Sequence, residues 1–170
     1  MSTSQRTDRL ILRAGQVKDI DALVSAMSEH DVVSQLSSVP WPYSSADARK
    51  FIERMQRDGL PRYLIFEATD SGERLVGGCG VTGSAEHLKI GYWVHKAHWG
   101  RGIATEAVSA LLGAIANQGY DRVFAEHKME NVSSLRVLEK LGFVAIAARE
   151  EGVNAPAKSD PSLVLRVKAL

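Results

Sequence analysis

Residues 98–107 read HWGRGIATEA, and this stretch restricts the fold more than any other. Gly100 and Gly102 flank Arg101, and helix formers follow at once. Each glycine costs backbone entropy, so a pair at the head of a helix marks a place where something must approach bare backbone. Upstream, Lys89–Val94 (KIGYWV) reads as a strand. Downstream, Ala107, Val108, Leu111, Leu112 and Ile115 keep a helical period as far as Gln118, and Gly119 supplies a stop. The order is strand, loop (His95–Arg101), helix. Such a helix start offers unpaired N–H groups and the positive end of the dipole, which suits a phosphate. Arg101 and Lys96 add mobile positive charge on this reading. The plain alternative is a tight turn that starts a helix and binds nothing.

The remaining chain supplies more alternating strands and helices. The first seven residues are polar and read as a loose tail, and Arg9–Arg13 (RLILR) alternates as a half-buried strand does. Asp19–Met27 brings Ile20, Leu23, Val24 and Met27 to one helical face. A proline-punctuated loop (SSVPWPY) follows, and Ser44 with Asp47 three residues on starts a helix that Gly59–Pro61 stops. RYLIFEA and RLVGGCGVTG form a hairpin around TDSGE. Beyond Gly119, the order is strand (DRVFAEH), capped helix (NVSSLRVLEKLGF), strand (VAIAARE) and last strand (SLVLRVKAL). No repeat or linker divides the chain, so residues 1–170 read as one domain, an open mixed sheet with helices on both faces.

Two phosphate-binding patterns fit poorly. A P-loop needs Gly-Lys-Ser/Thr after its second glycine, and Ala104–Thr105 supplies none of it. The dinucleotide fingerprint has Gly100 and Gly102 for its first half and Glu126 about twenty residues downstream. Its third glycine position is Thr105, however, and five residues separate Val94 from Gly100. Charge narrows the partners further. With 21 basic and 20 acidic residues the chain lacks a nucleic-acid footprint. Cys79 is its only cysteine, which points to a reducing compartment. No apolar run approaches the ~20 residues of a membrane span, and the first residues carry charges where a signal peptide needs an apolar core. The expectation is a cytoplasmic protein, monomer or homodimer, with no membrane or nucleic-acid partner and no metal.

Trp99-Gly-Arg-Gly-Ile-Ala104 resembles the glutamine/arginine-x-x-glycine-x-glycine/alanine signature of the GNAT N-acyltransferases, with Trp99 departing at the first position. Tryptophan there is similar to the branch containing the ribosomal-protein N-terminal acetyltransferases. TDRLILR, VPWPYSSADARKFI, IGYWV and ENVSSLRVLEKLGF match that branch in order, from about Thr7 to Phe143. The resemblance implies a mixed, mostly antiparallel α/β sheet of about six to seven strands, splayed in the middle, with helices on both faces. It implies acetyl-CoA as co-substrate and direct transfer of acetyl to a primary amine, with a protein N-terminal α-amine as acceptor.

The resemblance also assigns roles. Trp99, Gly100, Arg101, Gly102, Ile103, Ala104 and Thr105 would cradle the pyrophosphate. Backbone of Tyr92, Trp93 and Val94 would pair with pantetheine and supply an N–H to the oxyanion. Asn131 would bind the pantetheine arm, or only cap its helix. Many relatives carry a tyrosine acid seven residues past that asparagine, where this chain has Leu138. Ser134 is then the candidate general acid, with helix capping the alternative. Branch members often place a glutamate where Lys89 stands, so Glu86, His87, Glu126 and His127 are replacement bases, His127 having a suitable ordinary pKa. A lone histidine or glutamate is more often a solvated surface residue, so the leading expectation is no assigned base, an already neutral amine or a water chain sufficing. Apart from the resemblance, the PWPY loop with Trp41 and Tyr43 would form part of the acceptor wall, with His30 and Asp31 as neighbours, or would only pack a proline turn against the sheet. Three other readings stay open: a non-catalytic acyl-CoA sensor, an acetyltransferase for amino acids, polyamines or aminoglycosides, and, behind these, a dinucleotide-dependent oxidoreductase.

Overall fold

The computed structural model describes residues 4–36, 39–57, 59–146, 160 and 162–170. Eight strands form one sheet: β1 (Gln5–Arg6), β2 (Leu10–Arg13), β3 (Arg62–Thr69), β4 (Gly72–Thr82), β5 (Lys89–Val94), β6 (Arg122–Lys128), β7 (Val144–Ala145) and β8 (Leu163–Ala169). Their order across the sheet is β1-β2-β3-β4-β5-β6-β8-β7. The helices are α1 (Ile20–Ala26), α2 (His30–Val33), α3 (Ser45–Arg57), α4 (Ile103–Ala116) and α5 (Val132–Lys140).

The count of eight among the described residues exceeds the expected six to seven. Gln5 and Arg6, assigned to a loose tail, pair with Leu12 and Ile11. Two polar residues carry no hydrophobic period, so only backbone pairing with β2 reveals them as a strand. α2, one turn long, answers to no expectation drawn from the sequence. The expected strand over VAIAARE begins at Val144–Ala145, and its residues 147–150 lie outside the described residues.

Local signals account for the elements that were foreseen. Ser44 and Asp47 form a reciprocal cap, with Ser44 N–H donating to Asp47 (3.0 Å) and Asp47 N–H to Ser44 Oγ (3.2 Å). The β3–β4 hairpin pairs Thr69 with Gly72, leaving a two-residue turn. Strand alternation then sorts side chains to two faces. Leu10, Leu12, Tyr63, Ile65 and Ile90 pack with Ile103, Leu111 and Leu138 of α4 and α5. Leu64 and Phe66 pack with α1, α2 and α3 through Leu23, Val32, Ile52 and Met55. Each such side chain buried contributes ~1.5–3 kcal/mol.

One junction differs from the others. β5 and β6 are parallel and share register only at Lys89 with Phe124 and Ile90 with Ala125. Beyond those pairs β5 runs on to Val94 and β6 to Lys128 without pairing to each other, each keeping its outer partner, β4 or β8. The sheet opens there as the expected splay.

Candidate active site

The glycine turn lies at the end of β5. A single 3-10 turn, Lys96–His98, takes the place of the expected loop. Trp99 is half exposed, and its indole N–H donates to the Val94 carbonyl (2.7 Å). Gly100 (φ +74°) and Gly102 (φ +76°) are both left-handed, which explains glycine at both places. A Cβ added to Gly100 would meet no atom within 4 Å, so the backbone there faces open space. Glu106 N–H donates to the Gly102 carbonyl (3.1 Å), and the amides of Ile103, Ala104 and Thr105, in the first turn, are left for an outside acceptor. A groove of about 610 Å³ beside the turn is lined by Thr7, Gly102, Thr105, Glu106, Ser109 and Lys140, among others. An anion such as a pyrophosphate fits this backbone.

The two cations expected to be mobile are held. The Arg101 guanidinium bonds Glu67 of β3 (2.7 Å) and His98 Nδ1 (2.6 Å). Lys96 pairs with Asp31. Both acids lie far away in sequence, so no local pattern announces the pairing. Burial holds the His98 imidazole below its ordinary pKa, against the upward pull of Glu67. Neutral His98 can therefore accept from Arg101.

A different cation reaches the turn. Arg9, just before β2, donates through Nε to Glu106 (2.7 Å) and through Nη1 to the Arg101 carbonyl (2.9 Å). Thr7 Oγ1 donates to the same carboxylate (2.5 Å). Burial raises the Glu106 pKa, but the hydrogen bonds from Thr7 and Arg9 outweigh it and leave the carboxyl below its ordinary value.

Along β5, Ile90, Tyr92 and Val94 face α4 and α5, whereas Trp93 faces α1–α3. A Cβ on Gly78 of β4 would stand 2.5 Å from Trp93 Nε1, so glycine there lets the indole lie flat on the strand. The Tyr92 hydroxyl is 2.7 Å from Ser134 Oγ. Burial pushes the Tyr92 phenol up to about 12, against the Ser134 hydrogen bond, which lowers it. Ser134 is not the helix cap: Asn131 caps α5, its Oδ1 accepting from Ser134 N–H (3.0 Å). The other end of Asn131 donates to Gln35 (2.8 Å), and Lys128 donates to the Ser34 carbonyl (2.7 Å). The segment after α2 thus reaches across to the end of β6.

On the face toward α1–α3, Lys89 pairs with Glu126 (3.0 Å) across the last register before the strands part. The imidazole of His30 meets exposed Trp41 edge to face, centroids 5.8 Å apart. Tyr43 is half-buried against the cluster of that face, and burial lifts its phenol to about 12. The expected acceptor-side residues therefore share Trp93's face of the sheet.

The base candidates fare unevenly. His127 is buried, and its Nδ1 contacts the Lys128 carbonyl (2.9 Å), an acceptor, so Nδ1 carries the proton. Nε2 accepts from Arg166 (3.0 Å). Both ring nitrogens are committed and neither is free to take an amine proton, which removes His127 as a base. Glu86 is exposed in the β4–β5 connection, at the paired end of β5 rather than the open one. Leu138 is wholly buried in the core. Arg9 and Tyr92's hydroxyl are the contributions missed from sequence, because each acts through a partner far along the chain.

Comparison with known proteins agrees with this geometry. The acetyltransferase (GNAT) domain family matches residues 9–144. The probable N-acetyltransferase YjcK of Bacillus subtilis (strain 168) is 33% identical over 146 residues, covering 79% of this chain and 80% of its own. The fold matches RimJ of Mycobacterium smegmatis, solved in complex with CoA-disulfide, at TM-score 0.72 and 20% identity over 94% of this chain and 81% of the other. It also matches RimL, a ribosomal L7/L12 α-N-protein acetyltransferase solved with coenzyme A, at TM-score 0.75 and 22% identity over 96% of each chain. The chain belongs to the GNAT acetyltransferase family. It is an acyltransferase of the acetyl-CoA-dependent N-acetyltransferase class.

Proposed function

We propose that this enzyme moves acetyl from acetyl-CoA directly to a protein N-terminal α-amine, in the cytoplasm. The observation that carries the reading is the parting of β5 from β6 beyond Ile90 and Ala125, with the glycine turn at its mouth. The names of RimJ and RimL among the similar folds support the acceptor class. The edge of β5 that turns away from β4, from Gly91 to Val94, has no strand partner on the β6 side and can receive the pantetheine amide groups as a further strand would. The first-turn amides of α4 take the pyrophosphate, and Trp93, His30, Trp41 and Tyr43 border the side from which the amine arrives.

The acceptor attacks as a neutral amine. A C–N bond forms, the thioester C–S bond breaks, and a β5 amide stabilises the oxygen that carries charge between. Ser134 delivers a proton to the leaving thiolate and recovers one through solvent. The amine's surplus proton also leaves through water, with no side-chain base. Buried Cys79, its thiol pushed up to about 12 by burial, takes no part.

Acceptor screening with free-thiol detection tests the proposal across N-terminal peptides, amino acids, polyamines and aminoglycosides. Peptides with free α-amines should release CoA fastest, and blocking that amine should stop release. Preference for a small amine would overturn the acceptor assignment, and acetyl-CoA binding without turnover on any amine would favour a sensor.

A further inference from the structure

Arg9 approaches the glycine turn from a segment expected to serve only the sheet. We infer that Arg9 is a positioning residue for the phosphate turn, screening the Glu106 carboxylate and holding the Arg101 carbonyl away from an incoming anion. The inference rests on the reading of this turn as the phosphate site of acetyl-CoA.

Three contacts support it. Glu106 is the fourth residue of α4, so its carboxylate stands about one turn from the amides that must receive negative charge. An anion there would lower the attraction of the helix terminus for phosphate. Arg9 answers it with Nε at 2.7 Å and Nη2 at 2.6 Å, a two-point grip on the carboxylate. Nη1 takes the Arg101 carbonyl at 2.9 Å. That carbonyl lies between two left-handed glycines, where backbone rotation meets little steric resistance. Left free, its oxygen can swing toward the phosphate and repel it. Arg9 Nη2 lies 3.5 Å from where a Cβ of residue 102 would stand, so the guanidinium rests against the turn itself. The side chain is 47% exposed, which does not fit core filling. A planar guanidinium makes all three bonds at once, and an ammonium cannot match that geometry.

The test is calorimetric affinity for two probes, CoA and pantetheine, which lacks phosphate. Arg9→Met should weaken CoA about tenfold or more while leaving pantetheine unchanged. Arg9→Lys should recover part of the loss by restoring charge alone. Glu106→Gln should leave CoA bound at least as tightly as in the native protein, and Arg9→Met should cost less in that background. Equal losses for CoA and pantetheine in Arg9→Met would reduce Arg9 to a structural prop and overturn the inference. So would an undiminished loss in the Glu106→Gln background, which would mean direct contact with phosphate. If Arg9→Met does not fold, Glu106→Gln decides, since weaker CoA binding there contradicts the screening role. Failure of the underlying reading looks different: the native protein would bind CoA no better than pantetheine.

Discussion

The hydroxyls of Tyr92 and Ser134 sit 2.7 Å apart and join β5 to α5. A hydroxyl has one proton to give, so the direction of this bond decides what Ser134 can do. The phenol is the stronger acid of the two. The phenol can donate to Ser134 Oγ or to the Ser134 carbonyl (3.3 Å), and only in the first case is the Ser134 proton left for another acceptor, as the proposed acid role requires.

Ser134→Ala should lower turnover about a hundredfold at saturating acetyl-CoA, with little change in KM, if its proton goes to the leaving group. Stability should shift by no more than about 0.5 kcal/mol, because the α5 cap is the Asn131 side chain. Tyr92→Phe should cost less, about tenfold, and the double variant should be no worse than Ser134→Ala alone. Turnover measured by free-thiol release, with chemistry rate-limiting, decides the matter. Unchanged turnover in Ser134→Ala ends the acid assignment.

Gly102→Val should weaken CoA binding far more than pantetheine binding, since a branched side chain would cover the amides offered to phosphate. It should also lower stability by about 1–2 kcal/mol or more, because valine resists the left-handed conformation held at φ +76°. Calorimetry with both ligands and a denaturant titration separate the two effects. Equal losses for both ligands would mean the turn does not read phosphate.

Leu138→Tyr should not create the tyrosine acid that many relatives use. Leu138 is 0% exposed in the core beneath α4 and α5, so a larger ring there overpacks it. We expect a loss of about 1–3 kcal/mol in stability and no recovery of turnover when it is combined with Ser134→Ala. Recovery would show that the ring reaches the thiolate after all.

Acid should weaken the fold partly through Asp19. Burial pushes its carboxyl up, but bonds from the Arg13 guanidinium (2.8 and 3.0 Å) and the Gln16 amide (2.7 Å) outweigh it and hold the pKa below the ordinary value. A depressed folded pKa gives stability that is fully present above the unfolded value of about 3.9 and lost as pH falls through the folded one. Asp19→Asn should cost on the order of 3 kcal/mol at neutral pH, with the gap to native closing in acid. Urea titrations from neutral pH down to about 2.5 measure this. A gap independent of pH would count against the ion pair.

Sequence revealed what short-range chemistry writes. The Ser44–Asp47 cap, the Thr69–Gly72 turn and the glycines at 100 and 102 all depend on neighbours within a few residues, and each stands where the pattern placed it. The splay at Ile90 and Ala125 came from family resemblance rather than from periodicity. Long-range pairings stayed hidden. Arg9 lies 97 residues from Glu106, and Arg101 finds Glu67 34 residues back, so nothing local told a mobile cation from a committed one. His127 misled for the same reason, since Arg166 on β8 occupies the nitrogen that made it attractive.

The alternation along β5 sets what this scaffold can vary. Tyr92 belongs to the face of α4 and α5 and Trp93, its immediate neighbour, to the face of α1–α3. A single inserted or deleted residue would exchange the two sides and disable both at once. Point substitutions at 89, 91 and 93 meet only the side proposed for the incoming amine, while those at 90 and 92 meet the donor side. Lineages built on this strand can therefore diversify what they acetylate through alternate positions, leaving inherited thioester handling undisturbed.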